Sequence, residues 1–423
     1  MDDEGRAPAR HAAELESPDW QRTMWAMVGI QFIMTMSFSI LSPIMPLFLP
    51  ELGVTQPARI DLWAGTLNGT TSFVAAFASP LWGRVADRRG RKLMLLRSSF
   101  AISVFTGLMG LSLNVWQFFG ARALMGAFAG FSASAIALVA SQVPEQRLGY
   151  ALGWLSTGQL VGGLVGPVVG GAVSDMTGSY RVPFYCTSAI CMLTMVLAWA
   201  MVHERFIPPR QSRRQRSMLS SLGLLTRSAG LLPLFFVLLL AQFGVRTVQP
   251  VVTLFVQDLV GNPANLATLA GLAFSVTGVA DLIASPFLGK RSDQIGYRRV
   301  LLICLFGAAV MSLPQAFAHG YWTFVAERFG VGCFIGGILP TANALVGRMV
   351  PRAQRGTVYG MTASATFLGN SLGPLTGGGV AATLGLRWVF LVTAALLLAN
   401  LVWVYFTVPE FTETIREDGP AAT

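Results

Sequence analysis

Five charged residues stand inside stretches that are otherwise apolar: Arg122, Arg246, Asp281, Glu327 and Arg328. A charge in a dry environment is costly, so each is expected either to have a partner of opposite sign or to act on a mobile charge. Asp281 and Glu327 are the two groups there able to bind and release a proton. Desolvation raises a carboxylate pKa and a nearby arginine lowers it, so an acid that gains and loses an arginine would bind and release a proton in turn. Three cations against two anions make internal ion pairing the competing expectation. Asp281 shares a helical face with Gly271, Ser275, Gly278 and Ser285. Its place about seven residues from one end of its span would set it about 10 Å deep. The amides Gln31, Asn68, Gln159, Gln242 and Gln249, with Arg246, are candidates to contact a bound molecule. Hydrogen bonding between helices explains the amides equally well.

The elements that must position these groups are membrane helices. Of 423 residues, 53% are hydrophobic and 12% charged, about half the charge of an ordinary soluble protein. So few charges cannot cover a globular surface, and a bilayer must solvate the outside. Apolar segments fall at 23–49, 62–86, 93–113, 116–141, 148–173, 183–202, 230–256, 264–288, 300–318, 322–346, 356–382 and 388–407. Most reach the roughly 20 residues that a spanning helix needs. The expected fold is therefore an all-α membrane protein with twelve transmembrane helices. Residues 1–22 mix acids with three arginines and have no apolar core, so they read as a solvated tail and not a signal peptide. A basic linker at 203–229 divides bundles at 23–202 and 230–407, and a tail follows at 408–423. Cys186, Cys191, Cys304 and Cys333 lie in apolar stretches and read as free thiols.

The net charge of +10 is a matter of topology. Twenty-four of the 30 lysines and arginines lie in the two tails and alternate connections. The remaining connections hold only Arg59, Arg181 and Arg387. This split places both termini in the cytoplasm and leaves no nucleic-acid partner to invoke. No GxxxxGK[ST], HExxH or GxSxG motif is present. No enzyme chemistry, metal or cofactor is expected, and an ion gradient is left as the energy source.

The chain repeats itself. Ser79-Pro80-Leu81-Trp82-Gly83 recurs as Ser285-Pro286-Phe287-Leu288-Gly289, and the same offset relates Asp87 to Asp293, Arg122 to Arg328 and Arg181 to Arg387. Two six-helix repeats of parallel topology place a site between the halves.

These residues resemble the major facilitator superfamily over about residues 23–407. The loop Gly83-Arg84-Val85-Ala86-Asp87-Arg88-Arg89-Gly90-Arg91-Lys92 matches its signature almost in full, and 289–298 is a degraded second copy. Arg122-Ala123-Leu124-Met125-Gly126 resembles the fourth-helix arginine motif. The run from Gly162 to Gly171, with Gly166, Pro167 and Gly170, resembles the fifth-helix motif of exporters. The wording of the first half is most similar to the MdtG-like branch of the drug:proton antiporters. The resemblance implies a monomer in an inner membrane that exports amphipathic, drug-like small molecules in exchange for protons by alternating access. A dedicated metabolite exporter, for instance of a siderophore, is the alternative; proton symport and a non-transporting receptor are less favoured. It also implies gating by Gly83, Asp87, Gly90, Arg91 and Asp293, and coupling through Arg122 and Arg328 beside Asp281 or Glu327. Gly83 and Gly90 would permit a tight turn and close helix approach, and Asp87 would accept bonds from a neighbouring helix N-terminus and meet Arg91. One departure stands out: the first span has no carboxylate, only Gln31, Thr35, Ser37, Ser39 and Ser42, so no first-helix proton site carries over.

Replacing Asp87 by Asn is expected to destabilise the state closed on the cytoplasmic side by about 1–3 kcal/mol. Spin-label distances across that side should lengthen and turnover should slow, with ligand affinity little changed.

Overall fold

The computed structural model describes residues 18–202, 204, 231–349 and 355–408. The expected linker and the two tails lie almost wholly outside them. The first half contains α1 (Pro18–Ile40), α2 (Ile44–Phe48), α3 (Pro57–Arg89), α4 (Arg91–Leu111), α5 (Val115–Ala127), α6 (Phe131–Gln142), α7 (Leu148–Thr177) and α8 (Val182–Met201). The second contains α9 (Leu231–Thr247), α10 (Val252–Val260), α11 (Leu266–Ile295), α12 (Tyr297–Gln315), α13 (Tyr321–Met349), α14 (Arg355–Leu384) and α15 (Leu386–Thr407). These make twelve spans, because the first, fourth and seventh are each broken into two helices. The breaks fall at Pro43, at Gly130 with φ +124°, and at Pro250. Proline removes a donor there, and the positive φ suits glycine alone.

A broken helix frees carbonyls that hydrocarbon cannot hydrogen-bond. At the break between α5 and α6, Arg97 donates to the Phe128 and Ala129 carbonyls at 3.2 and 3.1 Å. Its guanidinium also lies 3.5 Å from the centre of the Trp82 ring, and the Trp82 indole donates to the Ala127 carbonyl at 2.7 Å. Arg97 thus ties α3 and α4 to the break, which its counting as a topological charge did not reveal.

The helices are longer than their apolar cores. The loop signature is helix up to Arg89 and again from Arg91, leaving only Gly90, at φ +93°, to make the turn. Its counterpart Gly296 does the same at φ +96°. Gly83, expected to allow a close approach, lies within α3 with nothing within 4 Å of its open side. α11 continues to Ile295, so Asp281 lies at mid-helix and not near its end.

The duplication is visible in packing. Phe48, Phe118 and Phe184 form a fully buried triad with ring centroids 5.3–5.9 Å apart. Phe255, Phe324 and Phe390 repeat it in the second half at 4.9–5.8 Å. Each triad is covered by an arginine, Arg181 over Phe48 and Arg387 over Phe255, and each arginine also satisfies loop carbonyls.

Among the described residues, ten spans meet the length and hydropathy expected of a membrane crossing, and α3 and α14 are not among them. These two pack on each other across the boundary between the halves, as α7 does on α11. Their Gly, Ser, Thr and Asn content reflects neighbours that are helices and not lipid. A Cβ on Gly65 would strike the Pro374 carbonyl and one on Gly69 the Ser371 carbonyl. Gly171 meets Ala267 in the same way, and Gly271 meets Pro167. All of these crossings lie toward the face opposite the one that carries Arg84–Arg97 and Lys290–Arg299, here called the basic face.

Two glycine substitutions should separate packing from motion. Gly162→Val pushes against α1 within one half and should lower stability by about 1–3 kcal/mol in thermal unfolding. Gly171→Val pushes only against the other half, so melting should change less while distances across the face opposite the basic one lengthen.

Candidate functional site

Helix α7 shows how the site is framed. Gly158, Gly162, Gly166 and Gly170 recur every four residues and sit against the carbonyls of Val28, Phe32, Met36 and Ile40, also every four residues along α1. Backbones approach this closely only without side chains. Another stripe of α7 faces α11. Pro167 and Gly171 meet it there, Leu164 accepts from the Ser275 hydroxyl, and Asp175 reaches its first turn. Thr157 lies seven residues before Leu164 on that stripe and is exposed, as is Gly153. The contacts described between the halves lie toward the face opposite the basic one, and on this stripe the residues nearer the basic face are exposed.

The polar side chains are held mainly by neutral dipoles. On the first half, the Gln31 amide donates to the Ser132 hydroxyl at 3.2 Å, while its carbonyl oxygen is buried without a partner. Arg122 is 6% exposed; one guanidinium nitrogen meets the Met45 sulfur at 2.7 Å and Nε has no partner. On the second half, Arg246 donates to the Asn370 and Gln249 side-chain oxygens, both at 3.1 Å. Asp281 accepts from Ser285, whose hydroxyl also donates to the Gly336 carbonyl at 2.6 Å. Arg328 contacts the Ala273 carbonyl at 3.4 Å, and Glu327 keeps a buried carboxylate oxygen with no partner.

Among the described residues, none of the five intramembrane charges is within ion-pair distance of an opposite charge, and the ion pair found in full there joins Arg181 to Glu51. The expectation of internal pairing is thus corrected. The expected shared face of α11 also divides: Gly271, Ser275 and Gly278 turn to α7, whereas Asp281 and Ser285 turn to α13.

The remaining candidates scatter. The Asn68 amide is turned to its own helix, donating to the Ala64 carbonyl at 2.9 Å. Gln242 is buried under Gly369, and Gln159 is exposed on α7. At the basic face, the backbone N–H groups of Arg91 and Lys92 both donate to Glu204, each at 2.8 Å. The side chain of Asp87 lies outside the described residues. Asp293 accepts from the Tyr297 hydroxyl. Sequence reasoning did not single out Glu204, Asn370, Ser132 or Met45. Asn370, a lone amide in the eleventh span, carried the one available signal.

The Major Facilitator Superfamily model matches residues 27–266 and 234–422, and the chain belongs to that superfamily: it is a membrane transporter and not an enzyme. It is similar to the multidrug resistance protein MdtG of Serratia proteamaculans, 38% identical over 95% of this chain and 97% of that one. MdtG of Enterobacter lignolyticus is likewise 38% identical, over 91% and 92%. Among solved structures, the nucleoside transporter NupG superposes with a TM-score of 0.76 at 13% identity, covering 92% of this chain and 100% of its own. A bacterial homologue of the lysosomal transporter Spinster, inward-facing and occupied, gives 0.74 at 15% identity over 93% and 97%.

Arg122 has a buried guanidinium nitrogen without a partner, a cost of about 1–3 kcal/mol. Arg122→Ala is expected to abolish transport while the protein inserts and accumulates normally, as membrane fractionation and flux assays would show.

Proposed function

We propose that the protein exports amphipathic, drug-like compounds across the inner membrane in exchange for protons, as a monomer with both termini in the cytoplasm. The observation that carries this reading is that the contacts described between the halves gather at the face opposite the basic one, which leaves a cleft open toward the basic face. Likeness to the MdtG proteins along nearly the whole chain supports export of drugs. The charge count makes the basic face cytoplasmic, so the cleft opens toward the cytoplasm, where an exporter loads.

Arg246, braced by Asn370 and Gln249, retains further N–H groups to orient a bound molecule. Asp281 or Glu327 carries the proton in this reading. Neither is held by an arginine in this conformation, so rocking of the halves is free to change the surroundings of each and thereby its proton affinity. The gate residues Gly90, Arg91, Asp87 and Asp293 lie along the basic face, where the cleft would close in the opposite state.

Everted vesicles supplied from outside with dyes, antibiotics or siderophores test the reading. Wild type should accumulate drug-like dyes only with a pH gradient; accumulation of siderophores alone would favour the metabolite exporter. Substrate-induced proton release should fall for Glu327→Gln or Asp281→Asn and vanish in the double mutant. Exchange at wild-type stoichiometry in the double mutant would remove both acids from the mechanism.

A further inference from the structure

We infer that Asp175 is the latch that holds the halves together on the face opposite the basic one, and that releasing it is a required step in opening the transporter to that side. This rests on the alternating-access reading above.

Asp175 lies in the last turn of α7, and its carboxylate crosses to the other half. It accepts from the backbone N–H groups of Ala267 and Thr268 at 3.2 and 2.7 Å, and from the Thr268 hydroxyl at 2.6 Å. These are N–H groups of the first turn of α11, which has no partner of its own within the helix. A carboxylate there also meets the positive end of the helix dipole. The same end of the cleft is sealed by apolar contacts. Tyr180 packs on the apolar cores of both halves, Leu47 of the first half joins the core of the second, and Leu254 packs in the reverse direction. Tyr180 lies just beyond α7, and burial, with Asp175 and Glu51 nearby, keeps its phenol neutral above the usual range.

The latch differs in kind from the glycine crossings beside it. Apposed backbones separate without leaving a polar group unpaired. Parting Asp175 from α11 strands a carboxylate and two amides until water reaches them. Charge-assisted bonds of this sort are about twice as strong as neutral ones, so Asp175 contributes directional stability to the closed outer face that small-residue packing does not.

Hydrogen exchange of the full-length protein in lipid nanodiscs tests this, because the fold-change in amide exchange reads the fold-change in opening. Asp175→Ala is expected to raise exchange about tenfold at 57–69 and 371–384, the facing ends of α3 and α14, where Asp175 makes no bond. Exchange at 84–97 on the basic face should fall as that side closes. A change confined to 266–269 would mark a local helix cap and overturn the latch, as would no change. Thr268→Val removes one of the three bonds and leaves the amides in place. It should move the same distant segments in the same direction by about two- to threefold, and its failure to do so overturns the proposal even if Asp175→Ala does not fold. The alternating-access reading fails separately if wild-type protein shows no opposed changes at the two faces on adding a transported dye; the latch, which presupposes it, then falls as well.

Discussion

Helix α7 has no room for side chains on the face that meets α1, and much of the architecture follows from that. Lipid offers helices no hydrophobic reason to associate, so close backbone packing must supply the attraction. Four glycines, from Gly158 to Gly170, fix α7 to four successive carbonyl turns of α1. The contact with α11 uses only the later part of α7. One helix therefore packs on both halves, through glycines within its own and through small and polar groups on the other. A cleft results at whichever face the second contact does not cover.

The intramembrane charges are held by neutral groups rather than locked in pairs. Arg122 rests on a thioether, Arg328 on a backbone carbonyl and Arg246 on two amides. Asp281 takes a hydroxyl, and Glu327 leaves one oxygen unpaired. A buried ion pair loses several kcal/mol when one partner is withdrawn, which would bind the halves or the helices to one arrangement. Neutral partners cost less to exchange, so these groups can respond as the surroundings change.

Duplication supplies the scaffold and divergence supplies the asymmetry. The phenylalanine triads, their covering arginines and the turn glycines at 90 and 296 repeat faithfully. Asp281 and Glu327 lie in the second half, and the Asp175 carboxylate that bridges the halves comes from the first. Packing tolerates repetition because each half needs the same core. A transport cycle needs the two faces of the molecule to differ.

The sequence by itself determined the class of fold, the number of spans, the repeat and the family, because hydropathy, periodicity and motif spacing are sums over neighbours in the chain. It located Arg122, Arg246, Asp281, Glu327 and Arg328 as charges within spans, and the glycine run of α7. It placed Asp281 too near a helix end, since polar residues at 289–295 continue a helix beyond its apolar core. The partners of each polar group were decided only by tertiary structure. Arg122 meeting Met45, Asn370 bracing Arg246 and Asp175 reaching Thr268 join residues between 77 and 124 positions apart. No local pattern encodes those distances, because they depend on how whole helices cross, and the crossing is set by where glycines let two backbones touch.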